Sequence, residues 1–148
     1  MRSGAAVAAA LVFALAGCGS GTSAAAPSVH VVVGTQAVTA KPTQYCLGGK
    51  RQEYSARPPI IEVGTTDAIR LTVPAAVARQ GWEVQVFDDQ LESKIGEVDV
   101  PKGQRTYDEI TGGDVAAAGF YLVVVEDKGT ACDNFSGAWP IGFIRSPG

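Results

Sequence analysis

The chain has 148 residues and a formal net charge of −3, and its 46% hydrophobic and 18% charged residues are the balance of a globular protein, not a disordered one. That length suits one domain with a core of its own. Fifteen acidic residues stand against twelve Lys and Arg, and no basic cluster is present. This argues against nucleic acid as a partner and against a polybasic grip on anionic lipid.

Residues 1–17 fall into three parts: a positive charge at Arg2, an apolar run from Ala5 to Ala16, and small residues at the end. Those are the parts of a secretory signal. The apolar run falls short of the roughly 20 residues that cross a bilayer. Leu15-Ala16-Gly17-Cys18 resembles a bacterial lipobox. The resemblance implies diacylglycerol on Cys18, a new N-terminus there, and a chain anchored by lipid on the extracytoplasmic face of the cell membrane. Each buried methylene contributes about 0.8 kcal/mol, so two or three acyl chains hold stably. A plain signal peptide with an incidental cysteine is the alternative.

Cys18 and the small, polar residues up to Ser28 read as a flexible tether, with a reach of roughly 17 Å on random-coil scaling. The domain is expected over 29–148. Val29 to Val33 is a β-branched run that favours a strand. Gly34-Thr35 separates it from Gln36 to Ala40, and a hairpin or a bulged long strand both fit. Gln44 to Leu47 precedes the Gly48-Gly49 turn, and Gln52 to Ser55 reads as a short edge strand. Pro58 to Val63 ends at the Gly64 turn. Ile69, Leu71 and Val73 then alternate with polar residues in a strand with one buried face. Ala75 to Gln80 fits a helical turn or a loop.

Trp82, Val84 and Val86 give the clearest period of two in the chain, and they are expected to face inward against Leu122 and Val124. Asp88 to Ser93 is polar. Ile95, Val98 and Val100 sit in a weaker strand broken by Gly96, and Arg105 to Ile110 forms another. Phe120 to Val125 is apolar on both faces and belongs at the centre of a sheet. Ala138 to Arg145 supplies the last strand. Regular turns and the lack of a long helix predict an all-β chain folded as a β-sandwich with an extra N-terminal β segment.

Cys46 and Cys132 remain as an even pair in an exported chain, where a disulfide is favoured. Buried free thiols or a mixed disulfide are the alternatives. An intrachain bond would join the N-terminal segment to the last hairpin. Two cysteines and one histidine cannot build an ordinary four-ligand zinc site.

The sandwich resembles immunoglobulin-like domains in three places. Trp82 opens a strand as the buried tryptophan of the third strand does. Asp114 with Gly119-Phe120-Tyr121 is similar to the corner where a tyrosine hydroxyl ties back to the backbone. Pro59 through Pro74 is similar to the first two strands around a glycine turn. The cysteines depart from the pattern, since neither lies on the expected second or sixth strand. As a whole the chain resembles small actinobacterial lipoproteins known only as a domain of unknown function. The lipobox, the tether, Pro42-Thr43-Gln44-Tyr45-Cys46 and the PPIIEVGTT…LTVP…W stretch carry that resemblance. It implies a cell-envelope location and no activity.

Catalytic chemistry is thin. His30 is the one histidine and falls in a valine-rich strand, where a solvated face explains it without a general base. Asp88-Asp89 and Glu126-Asp127 read as solvated loop charges, because neighbours in extended chain point to opposite faces. Asp127, Asp133 and Asn134 lack a calcium-loop pattern, and one histidine cannot supply a blue-copper site. Phe135 and Trp139 would make a recognition patch if exposed, though core packing is the commoner fate. The expectation is a non-enzymatic binding or assembly module of the cell envelope, without metal or cofactor, meeting an envelope protein or glycan. The alternative is a carrier of a lipid or other apolar ligand.

Overall fold

The computed structural model describes residues 25–147. The leader, Cys18 and the tether as far as residue 24 lie outside the described residues.

Among the described residues, eleven strands and one short helix build two facing sheets, an all-β sandwich. The smaller sheet has the order β2 (Gln36–Ala40), β1 (Val29–Val33), β6 (Ala68–Thr72), β9 (Thr106–Thr111), all antiparallel. The larger has the order β4 (Lys50–Glu53), β3 (Gln44–Leu47), β11 (Ala138–Arg145), β10 (Gly119–Glu126), β7 (Trp82–Phe87), β8 (Lys94–Val100). β5 (Ile60–Val63) joins it by pairing in parallel with the second half of β11. β3 meets β11 only at Ala138 opposite Gln44, so β3 and β5 share one side of that strand.

Alternation decides which face is buried. Val29, Val31 and Val33 of β1 and Ile69 and Leu71 of β6 point inward, while His30 and Arg70 face solvent. Across from them lie Trp82 and Val84 of β7, Leu122 and Val124 of β10, and Trp139, Ile141 and Phe143 of β11. Phe120 and Phe143 stack with ring centroids 5.2 Å apart. β10 runs between β11 and β7, as its two apolar faces demand. The Trp82 indole N–H donates to the Gln104 carbonyl oxygen at 2.7 Å, so burial leaves no polar atom of that ring unsatisfied.

The turns have local causes. Gly34-Thr35 closes a β1–β2 hairpin, which settles the first of the open alternatives. Gly48 and Gly49 take positive φ at the β3–β4 turn, a pairing that residues with a Cβ rarely adopt. Ala75–Gln80 is a helix, α1, which turns Val77 and Ala78 into the core. β4 begins two residues earlier than Gln52.

Two sequence expectations are corrected. Gly96 does not break its strand: β8 runs through it, and the irregularity is a one-residue bulge, because Val86 pairs with Gly96 and Phe87 with Lys94, leaving Ile95 unpaired. Nor is the tyrosine corner formed. Tyr121 lies opposite Phe87 on the outer face, beside Gly142 and Ile60. Asp114 instead accepts from the Thr111 backbone N–H and hydroxyl at 2.7 and 2.9 Å.

Candidate functional site

The sandwich has two different ends. β1 starts, and β10 finishes, at the end that carries α1, the 127–137 loop and the β3–β4 hairpin. Here the Trp139 indole N–H donates to the Pro27 carbonyl oxygen at 2.8 Å, fastening the segment that leads into β1. Cys46 and Cys132 are joined by a disulfide, Cα to Cα 6.0 Å. Arg51 reinforces it: its guanidinium donates to the Cys132 and Asp133 carbonyl oxygens and lies 5.3 Å from the Phe135 ring centre. Trp139 is wholly buried against Tyr45, so the recognition patch imagined for Phe135 and Trp139 is core and strut.

Glu126 belongs to the same end and is not a solvated loop charge. It faces a pocket of about 180 Å³ with Tyr45, Gln80, Cys132 and Phe135. Burial, and then the Asp127 charge, push its carboxyl up to about 7. Asp127 is raised by burial and by Glu83 and Asp99, against the pull of Lys102. Tyr45 is raised by burial first and then by Glu126. Among the described residues no three His, Cys, Asp or Glu side chains gather as metal ligands, and no helix is long and apolar enough to cross a membrane.

The other sequence candidates are scattered. His30 is exposed on β1, its Nδ1 3.2 Å from the Thr39 hydroxyl. Asp88 accepts from the backbone N–H groups of Gln90, Glu92 and Ser93, which holds its carboxyl below the usual range and gives it a turn to stabilise. Asp89 is exposed beside it. Asp133 and Asn134 sit at positive φ in the 127–137 loop.

Two surface depressions lie well within the size range of ligand sites. One, about 540 Å³, lies on the outer face of the larger sheet over Phe87, Leu91, Val123, Val125 and Pro140, and no charged side chain lines it. The other, about 530 Å³, opens between the free edges of the two sheets. β8 supplies Ile95, Gly96, Glu97 and Val98, β9 supplies Tyr107, Glu109 and Ile110, and the following loop adds Asp114, Val115 and Ala116. Arg145 holds that loop in place by donating to the Gly112 and Val115 carbonyl oxygens. Gly112 allows the loop to pack down, since a Cβ there would clash with the Gly64 carbonyl oxygen.

A family model described as a protein of unknown function matches residues 22–129, from the tether into the loop after β10. The chain belongs to this family, DUF2771. No curated protein and no solved structure matches it.

Two features of this DUF2771 chain escaped sequence reasoning. Glu126 reads as a solvated loop charge because it and Asp127, as neighbours in extended chain, point to opposite faces; its burial comes from the disulfide loop folding back over it. The edge cleft depends on a bulge and on two successive strands, β8 and β9, that lie in different sheets, and neither leaves a mark in hydrophobic periodicity. The one available signal was Ile95, an isoleucine out of phase with the inward residues of its strand.

Proposed function

We propose that the protein is a lipid-anchored, extracytoplasmic binding module of the cell envelope with an immunoglobulin-like sandwich. The fold reading is supported by strand order. β5, β11, β10, β7 and β8 follow the order of the first-strand, G, F, C and C′ positions, and β6 beside β9 follows that of B and E. Trp82 occupies the buried tryptophan's place on the third strand. The β1–β4 segment is additional, and the Cys46–Cys132 bond replaces the usual inter-sheet disulfide. Location rests on the lipobox at Cys18.

The observation that carries the binding reading is apolar surface left in water around a core that is already closed. Ile60, Ile95 and Ile144 are each more than half exposed, while Trp82, Trp139, Phe120 and Phe143 fill the interior. Ile60 and Ile144 share one depression on the outer face and Ile95 joins Val86 and Val98 in the edge cleft, and clustered exposed apolar surface of this kind favours interaction. The packed aromatic rings occupy the volume a lipid carrier would need for its ligand, so binding at the surface is the better supported reading.

A photo-reactive residue placed in turn at Ile95, Ile144 and His30 in the native host tests it. Ile95 or Ile144 is expected to capture a defined envelope component that the His30 position does not. Capture no greater than at His30 from both positions sinks the reading.

A further inference from the structure

We infer that the cleft between the free edges of β8 and β9 binds a basic segment of a partner protein, which inserts one apolar side chain and sets its lysines or arginines against the rim. The inference rests on the binding-module reading and gives it a place and a chemistry.

Ile95 comes first. It is 56% exposed on an edge strand, where it adds nothing to the core. The bulge takes it out of the ladder, and it joins Val86 and Val98 in the lining. Bulges at sheet edges re-aim side chains in this way. Gly96 leaves the space beside Val86 open: a Cβ there would meet the Val86 Cγ2 at 3.7 Å, an ordinary contact. With Ile110 and Val115 these residues make an apolar floor.

Charge then selects the occupant. Glu97, Glu109 and Asp114 all line the cleft, and no Lys or Arg does. Lys94 reaches Glu97 from outside at 2.5 Å; among the described residues no ion pair holds Glu109 or Asp114. An apolar floor under a carboxylate rim complements an apolar side chain flanked by cations. The uncharged groove on the outer sheet face makes no such choice. The β6–β9 ladder is irregular too, between Ile69 and Leu71, so both edges are bulged. Bulged edges resist an added strand, and the partner therefore enters side chain first.

The test uses the full oxidised chain in zwitterionic micelles and three capped pentapeptides. Each has two lysines or two glutamates on either side of a central residue: lysines around leucine, glutamates around leucine, lysines around serine. The lysine–leucine peptide is expected to shift the amide resonances of Ile95, Gly96, Tyr107 and Val115, with the other two binding about tenfold more weakly, a difference of roughly 1.4 kcal/mol. Gly96→Val should lower its affinity about tenfold by filling the floor, without lowering the thermal midpoint, because valine suits a strand and its Cβ meets Val86 only at ordinary contact distance. Glu97→Gln with Glu109→Gln should do the same by removing charge. Equal affinity for the lysine and glutamate peptides, no binding of either, or affinity unchanged in both variants overturns the inference. Shifts confined to Phe87, Val123 and Val125 overturn it as well, yet leave the tethered-module reading standing, since that reading falls only on the crosslinking result.

Discussion

Glu126 ends the central strand β10 at the point where the disulfide loop folds back, and its carboxyl is half-buried there beside Asp127. Its pKa is raised from 4.5 to about 7 by that burial and by the neighbouring charge. Below pH 4.5 folded and unfolded chains both hold the proton, and the group is neutral to stability. Between 4.5 and 7 the unfolded chain releases it while the folded chain keeps it, so stability falls as pH rises through this window and stays lower above it. The full shift corresponds to roughly 3 kcal/mol, which solvent screening of a half-exposed group reduces to about 1–2 kcal/mol. Glu126→Gln is therefore expected to stabilise the protein by about that amount at pH 8 and to change little at pH 4. Denaturant midpoints at the two pH values measure it. Equal effects at both would show that packing, not ionisation, governs the site.

At the scale of elements, the β3–β4 hairpin depends on covalent help. Its ladder contact with the rest of the sheet is one residue pair, Gln44 with Ala138, supported by the Gln44 side-chain bond to the Ser136 carbonyl oxygen and by Arg51. The Cys46–Cys132 bond spans 86 residues. The chain-entropy model assigns a crosslink of that length about 4–5 kcal/mol. Replacing both cysteines with alanine is expected to lower unfolding free energy by several kcal/mol and to open the 127–137 loop to protease before the sandwich core is cut. Matching denaturant midpoints for the oxidised protein and the double variant would count against this. The main strands were legible in the sequence because one-sided burial writes a period of two: Trp82, Val84 and Val86 against Glu83 and Gln85 is the clearest case, and their partners Val124 and Leu122 follow from it. The cysteine pair was legible because the expected export and an even count favour a bond. What periodicity could not reveal was the bulge at Ile95, the outward turn of Tyr121, or the burial of Glu126, each of which depends on residues distant in sequence.

For the whole molecule, the placement of Pro27 gives the lipobox a geometric consequence. Pro27 is pinned under Trp139 at the disulfide end, and Cys18 is nine residues away. Random-coil scaling gives nine residues roughly 17 Å on average, and full extension gives about 30 Å. The eight residues of β10 alone extend about 26 Å at the usual strand rise. If Cys18 carries the lipid expected of it, a linker shorter on average than the sandwich would keep the disulfide end toward the bilayer. If Cys18 is acylated, Lys50 and Asp133 stand near the lipid headgroups, whereas Thr65 and Asp114, in turns at the opposite end, point into the extracytoplasmic space with the cleft's upper wall. Fluorophores attached singly at Lys50 and at Thr65 should report this in vesicles carrying headgroup spin labels: strong quenching at Lys50, weak quenching at Thr65. Cys18→Ser should abolish both membrane association and incorporation of labelled fatty acid. Equal quenching at the two ends would refute the fixed orientation, and an absence of acyl label on the wild-type chain in its own host would remove the anchor on which the orientation depends.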